Sequence, residues 1–346
     1  DLLDVLENHQ QAIATGYPQT FRSVAGYNLN RLLSQERPNL ASLIVGSEGT
    51  LAIVSQAQVR LIPIVPHRTL VLVQFDDTQT ALESVPELMQ SQPSAIEIMD
   101  RMLLDLTQGK REYADMLSFV HGHPACLLMI EYDGQSEAQA AAGVARLREL
   151  LQHTRHQEPI LVLPDPAQQE QVWQARKVGL GILMSIAGDA KPIAVVEDAA
   201  VPVEHLATYI SQLTDYAQTI GIERVAMYAH ASAGCVHLRP MINLKTKDGL
   251  RQLRQIAEKS AQLVISMGGT TSGEHGEGLL RGEFSARLFG PELYDAFRKV
   301  KAAFDPDNLM NPGKVVDVSP LDAPGRLRYG PTYQTPGEPD PTVFQF

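Results

Sequence analysis

The sequence holds 346 residues, enough for two domains with buried cores, and 44% hydrophobic against 20% charged residues is an ordinary globular balance. Its 29 basic and 40 acidic side chains leave a net charge of −11, which argues against nucleic acid as the main partner, although one arginine or lysine in a cleft can still take a small anion. Two cysteines, Cys126 and Cys235, exclude a disulfide framework and make a reducing, cytoplasmic compartment the default, and no apolar run reaches the ~18 residues of a membrane span.

Residues 2–13 read as a helix. Apolar residues 43–45 and the alternating run 51–61 flank the turn Gly46-Ser47-Glu48-Gly49-Thr50, a pattern that predicts a β-hairpin or strand pair. After the prolines at 63 and 66, strands and helices alternate. Strands are expected at 69–75, 95–99, 126–132, 160–163, 193–201, 224–230 and 235–240, and helices at 78–90, 101–106, 136–152, 166–186 and 204–220. Repeated β-α-β pieces with short turns point to an α+β fold, a ferredoxin-like antiparallel sheet with helices on one face. Helices are also predicted over 248–267, ended by Gly268-Gly269, and over 291–304, opened by Pro291 and stopped by Asp305-Pro306. Residues 319–346 turn to Pro, Gly and Tyr without periodicity and read as a linker or tail.

His230 and His237 are seven apart. On one unbroken strand they would face opposite ways, but on either side of a turn at Ser232-Ala233-Gly234 they can face each other across two strands. Two imidazoles so placed can hold a metal, which needs a third ligand; the alternative is two unrelated histidines near a turn. Glu274 and His275, in the glycine-punctuated Ser272–Gly278 stretch, offer that ligand and a general base pointing roughly the other way, or else merely flank a helix start. Arg176, three residues after Trp173 on a helix, can take a carboxylate through two N–H groups or lie solvated. Lys191 sits in a turn where a solvated lysine is the default.

In this order the pieces resemble a known family. Gly26-Tyr27 and Leu43–Leu51 are similar to the end of the FAD-binding domain of the vanillyl-alcohol oxidase/p-cresol methylhydroxylase (PCMH) superfamily. His230 and His237, Ser272-Gly273-Glu274-His275-Gly276, Phe304-Asp305-Pro306 and Asn311-Pro312-Gly313-Lys314 resemble its D-lactate, glycolate and D-2-hydroxyglutarate dehydrogenase branch. The branch pattern Gly-Asp-Gly-Asn between the histidines is Ser232-Ala233-Gly234-Cys235 here, so Cys235 replaces a substrate-contacting Asn. With the 326–329 region, this variant resembles large bacterial fusions of an FAD-binding half to an iron–sulfur half.

The resemblance implies four parts: residues 1–65 as the C-terminal remainder of an FAD-binding domain, 66–290 as a substrate-carrying cap, 291–318 as a helix and turn returning to the FAD side, and 319–346 as a linker. FAD would be touched by Gly26, Tyr27, Gly46, Ser47, Glu48, Gly49, Thr50, Leu51 and Asn311. The family's glycine-rich FAD segments would lie before Asp1, and iron–sulfur cysteines beyond Phe346. A divalent metal, zinc first, would be held by His230, His237 and Glu274. His275 would be the base, and Arg176, Lys191 and Cys235 would contact substrate. The implied activity is oxidation of a small D-2-hydroxy acid to the 2-keto acid by hydride transfer to flavin, with D-2-hydroxyglutarate preferred and D-lactate or glycolate next. The electron acceptor is left open. Two other classes remain at this point: a non-catalytic cap that binds a metal or a partner, and a metal-dependent hydrolase, in which Gly46–Thr50 and Asn311–Lys314 would have no role.

Overall fold

A computed structural model describes residues 2–33, 39–111, 113, 117–328 and 330–333. Eight strands form one sheet: β1 (His67–Phe75), β2 (Ala95–Asp100), β3 (Cys126–Gly134), β4 (Gln157–Leu163), β5 (Lys191–Pro192), β6 (Val196–Ala200), β7 (Val225–His230) and β8 (Cys235–Ile242). The order is β4-β1-β3-β2-β7-β8-β5, with β6 also on β8, and each pairing is antiparallel. Twelve helices accompany it among the described residues: α1 (Leu2–Asn8), α2 (Gln10–Thr15), α3 (Leu29–Leu33), α4 (Leu40–Ile44), α5 (Thr78–Leu88), α6 (Arg101–Gln108), α7 (Glu137–Leu151), α8 (Pro166–Met184), α9 (Leu206–Thr219), α10 (Lys247–Ser266), α11 (Gly278–Arg281) and α12 (Ser285–Phe304).

The chain's own chemistry starts these helices. Side chains of Asp77, Asp100, Ser136, Asp165 and Thr246 accept from the first-turn amides of α5, α6, α7, α8 and α10, satisfying donors that have no partner within the helix. Alternation along the strands then sorts two faces. Val71, Val73, Ile96, Ile98, Leu128, Ile130, Met227, Ala229, Val236 and Leu238 pack in one core beneath α5, α7, α9 and α10. Leu70, Leu72, Met99, Leu127, Met129 and Tyr228 point the other way, against Leu103 and Leu104 of α6 and Val172, Ala175 and Leu183 of α8. Helices on one face is therefore right for the four long sheet-covering helices, while α6 and α8 add a partial layer opposite. A separate core joins Val5, Leu6, Tyr17, Tyr27 and Leu43 to Phe289, Leu293, Phe297 and Val316.

Two expectations change. No hairpin forms around the 46–50 turn: residues 40–44 are helical, with Asn39 accepting from Ala41 N–H at 3.0 Å, and residues 51–66 join no strand. Their alternation is real, but among the described residues nothing pairs with that backbone, and Ile53, Val59, Leu61, Ile62 and Ile64 stand exposed. The last long helix opens at Pro291 as expected, with Gly290 (φ 73°, ψ 167°) breaking it from a short helical stretch that starts at Ser285. Residues 319–328 are not a loose linker. Leu321 is buried in the sheet core and Asp322 pairs with Arg254, contacts between distant segments that periodicity cannot show. Tyr329 and residues 334–346 lie outside the described residues.

Candidate active site

Strand register builds the site. In antiparallel neighbours, directly opposed residues share a face and touch. Glu97 of β2 stands opposite His230 of β7, while Tyr228 of β7, His237 of β8 and Glu197 of β6 form one row across three strands. All five point away from the main core, onto the face that α8 partly covers. The turn between β7 and β8 brings the histidines together. Gly234 there has φ 64°, and a Cβ would stand 1.9 Å from the Val201 carbonyl oxygen, so only glycine fits. The imidazole centroids are 5.2 Å apart and nearly perpendicular.

Each histidine has a carboxylate beside its Nδ1, and each carboxylate has an arginine. His230 Nδ1 lies 2.6 Å from Glu97 Oε1, and Arg176 Nη2 donates to Glu97 Oε2 at 2.5 Å. His237 Nδ1 lies 3.2 Å from Glu197 Oε1, which is 2.9 Å from Arg239 Nη2. Tyr228 sits among them, stacked on His237, with Arg176 over its ring and its hydroxyl donating to Glu197 at 3.2 Å. Burial alone would raise the Glu197 carboxyl, but the His237 hydrogen bond and the Arg239 charge outweigh it and hold it at about 2. Burial also lowers the His237 pKa, against the pull of Glu197, which favours a neutral imidazole.

The remaining nitrogens face Glu274. Its Oε2 lies 3.4 Å from His230 Nε2 and 4.0 Å from His237 Nε2. One ligand atom from each of these three residues lies within 4.8 Å of the others. His275 stacks on His237 at 5.4 Å between centroids, with 48% of its side chain exposed. Arg22 forms an ion pair with Glu274, and the Val24 N–H donates to the Ser272 carbonyl at 3.0 Å, so the 22–24 segment lies along the loop.

Of the expected site residues, His230, His237, Glu274, His275 and Arg176 come together. Lys191 does not: it lies on β5 opposite Ile242, five residues along β8 from His237, and its Nζ donates to the Ile186 carbonyl at 2.6 Å. Cys235 is fully buried, its Sγ 3.8 Å from the Asp198 carbonyl and close beneath Gly273, with burial pushing the thiol up to about 12. Cys235 thus lies beneath the loop that carries Glu274 and His275.

The residues expected at FAD form a second group. Gly46, Glu48 and Gly49 all have left-handed backbone, and the space beside Gly49 is open. Tyr27, Ser47, Thr50 and Leu51 are buried beneath, with the Tyr27 hydroxyl 2.7 Å from Thr50 Oγ1. Gly26 N–H donates to Glu277, and Asn311 Nδ2 to the Glu48 carbonyl at 2.6 Å. Glu97, Glu197, Tyr228, Arg239 and Asp198 were not anticipated. A signal existed, since acidic residues in the apolar runs 95–99 and 195–201 are buried charges that need partners.

Residues 64–315 match the family described as FAD linked oxidases, C-terminal domain. The chain belongs to that family. It is 33% identical over 328 residues to a D-2-hydroxyglutarate dehydrogenase of Escherichia coli (strain K12), covering 91% of this chain and 32% of that protein. It is 28% identical over 321 residues to glycolate oxidase subunit GlcD of Bacillus subtilis (strain 168), covering 90% and 62%. The chain thus spans about a third of the length of the D-2-hydroxyglutarate dehydrogenases it matches. A structure of p-cresol methylhydroxylase with substrate bound aligns at TM-score 0.55 and 12% identity, over 74% of this chain and 54% of that one. Alkyldihydroxyacetonephosphate synthase aligns at 0.53 and 15%, over 79% and 49%. At these identities the likeness concerns the fold alone, an α+β antiparallel sheet with helices. No helix among the described residues is long and apolar enough to cross a membrane.

Proposed function

We propose that this chain is the substrate-side part of an FAD-dependent dehydrogenase that oxidises a D-2-hydroxy acid, D-2-hydroxyglutarate first and D-lactate or glycolate next, to the 2-keto acid. The observation that carries the reading is the His230–His237–Glu274 cluster with a carboxylate beside each Nδ1, hydrogen-bonded at His230 and 3.2 Å away at His237. That donor set fits a divalent cation, zinc first. A carboxylate at Nδ1 fixes the tautomer with the Nε2 lone pair turned inward, the usual support for a metal-binding histidine. The 46–49 backbone, open beside Gly49, fits one edge of a flavin, while Tyr27, Thr50 and Leu51 support it from beneath.

When bound, FAD supplies the two-electron acceptor and the metal a Lewis acid for the substrate hydroxyl and carboxylate oxygens. His275, exposed beside the cluster, takes the hydroxyl proton as the C2 hydride leaves with its electron pair. Arg176, whose Nε–H has no partner among the described residues, anchors a substrate carboxylate and orients C2. Lys191 has no part in this arrangement, and the acceptor of the electrons is left unassigned. The test is to mix the complete FAD-loaded protein anaerobically with each acid and follow the flavin band near ~450 nm. Bleaching by D-2-hydroxyglutarate is expected, and no bleaching by any of the three, with FAD and metal both bound, would overturn the reading.

A further inference from the structure

Asp198 is fully buried in β6 beside the cluster, and its backbone is unusual for a strand. Its φ is 59°, at the bulge where the β6–β8 register shifts between Glu197 and Ala199. Left-handed backbone at a residue with a Cβ is strained and persists only where its surroundings over-determine it. The bulge has a definite result: it turns the Asp198 carboxylate toward the 272–275 loop. Oδ2 accepts from Ser272 Oγ at 2.9 Å, Glu274 N–H at 3.0 Å and His275 N–H at 2.5 Å. The Asp198 carbonyl accepts from Gly273 N–H at 2.8 Å. Four consecutive loop residues are therefore held by one aspartate.

The carboxylate also faces the imidazole. His275 Nδ1 lies 3.8 Å from Oδ2, while Oδ1 has no hydrogen-bond partner among the described residues and only Arg281 Nη2 nearby, at 3.4 Å. The oxygen that meets the ring nitrogen is Oδ2, the same one that holds the loop, while Oδ1 faces Arg281.

We infer that Asp198 is the positioning residue for His275, fixing its backbone through the loop amides and its ring through Nδ1–H. A bond at Nδ1 leaves the Nε2 lone pair toward the cluster. This inference rests on the reading of His275 as the proton acceptor. Nδ1–H at rest does not depend on turnover.

Two measurements test it. In the complete protein with histidine labelled at its ring nitrogens, NMR above pH ~8, where an ordinary imidazole is neutral, reports the His275 tautomer. The Nδ1–H form is expected; a dominant Nε2–H form would overturn the inference whatever the activity, and needs no variant. Asp198→Asn tolerates left-handed backbone but replaces one carboxylate oxygen by an amide donor. Flavin reduction in this variant should slow by ~10²-fold or more, with the tautomer shifted. Reduction at the wild-type rate with an unshifted tautomer would also overturn it. If the wild-type protein shows the Nδ1–H form but no acid bleaches the flavin, the dehydrogenase reading fails and the positioning of His275 stands.

Discussion

Glu48 Oε1 accepts a hydrogen bond from the backbone N–H of Glu277 at 2.8 Å, and both of its carboxylate oxygens lie within 3.3 Å of Gly278 N. This ties the 46–50 turn to the loop that carries Glu274 and His275. The contact is close: a Cβ on Gly276 would stand 2.9 Å from the same oxygen. Replacing Glu48 by alanine leaves two amides without their acceptor, at a cost of ~1–3 kcal/mol in unfolding free energy. Amide exchange at Glu277 and Gly278 should accelerate in step. Unchanged exchange at both would mean that the turn does not anchor the loop.

Glu97 couples two sites of the same kind, because its oxygens separately meet His230 Nδ1 and Arg176 Nη2. In Glu97→Gln an amide nitrogen replaces one acceptor, so the ring or the guanidinium loses its partner. Loss of such outer support costs ~10–100-fold in metal affinity. Competition titration with a zinc chelator measures that loss directly, and His230→Ala should lose the metal altogether. Equal zinc content in His230→Ala and wild type would remove His230 from the ligand set.

Helices and strands between residues 66 and 304 were legible because local chemistry sets them: Asp77, Asp100 and Ser136 mark helix starts, and Gly234 marks the turn that lets two histidines face each other. The partners of those histidines were not legible. Glu97 meets His230 only because β2 lies beside β7, 133 positions away, in one register of the several a local pattern allows. Glu197 and Arg239 are hidden for the same reason. The 51–61 run failed in the opposite sense, since its alternation is strand-like but a strand also needs a neighbour.

Gly234 should tolerate no side chain. In Gly234→Ala the new methyl would meet the Val201 carbonyl oxygen at 1.9 Å, in a backbone conformation that already disfavours alanine. Relief requires the 231–234 turn to move, and with it the pairing of His230 with Cys235. A loss of ~3 kcal/mol or more is expected in urea unfolding, a size reserved for such backbone clashes. A loss below ~1 kcal/mol would show that the turn relaxes freely.

Glu277 gives the folded state a pH dependence of definite sign. Burial pushes its carboxyl up from 4.5 to about 7, against hydrogen bonds from Ser285, Gly26 and Thr271, and burial takes Asp100 from 3.8 to about 7 as well. For an acid with a raised folded-state pKa, the folded protein holds more protons between the two values. The contribution is therefore greatest below the unfolded pKa and is lost as pH rises toward 7. Glutamine at 277 mimics the protonated form, since Ser285 and Thr271 hydroxyls can reverse their hydrogen bonds. Wild type should thus match Glu277→Gln below pH ~4 and fall behind it by up to roughly 3 kcal/mol by pH 8. Thermal unfolding of both proteins across that range checks it: a constant gap from pH 5 to 8 would mean that Glu277 does not titrate there, leaving any remaining slope to Asp100 and His237.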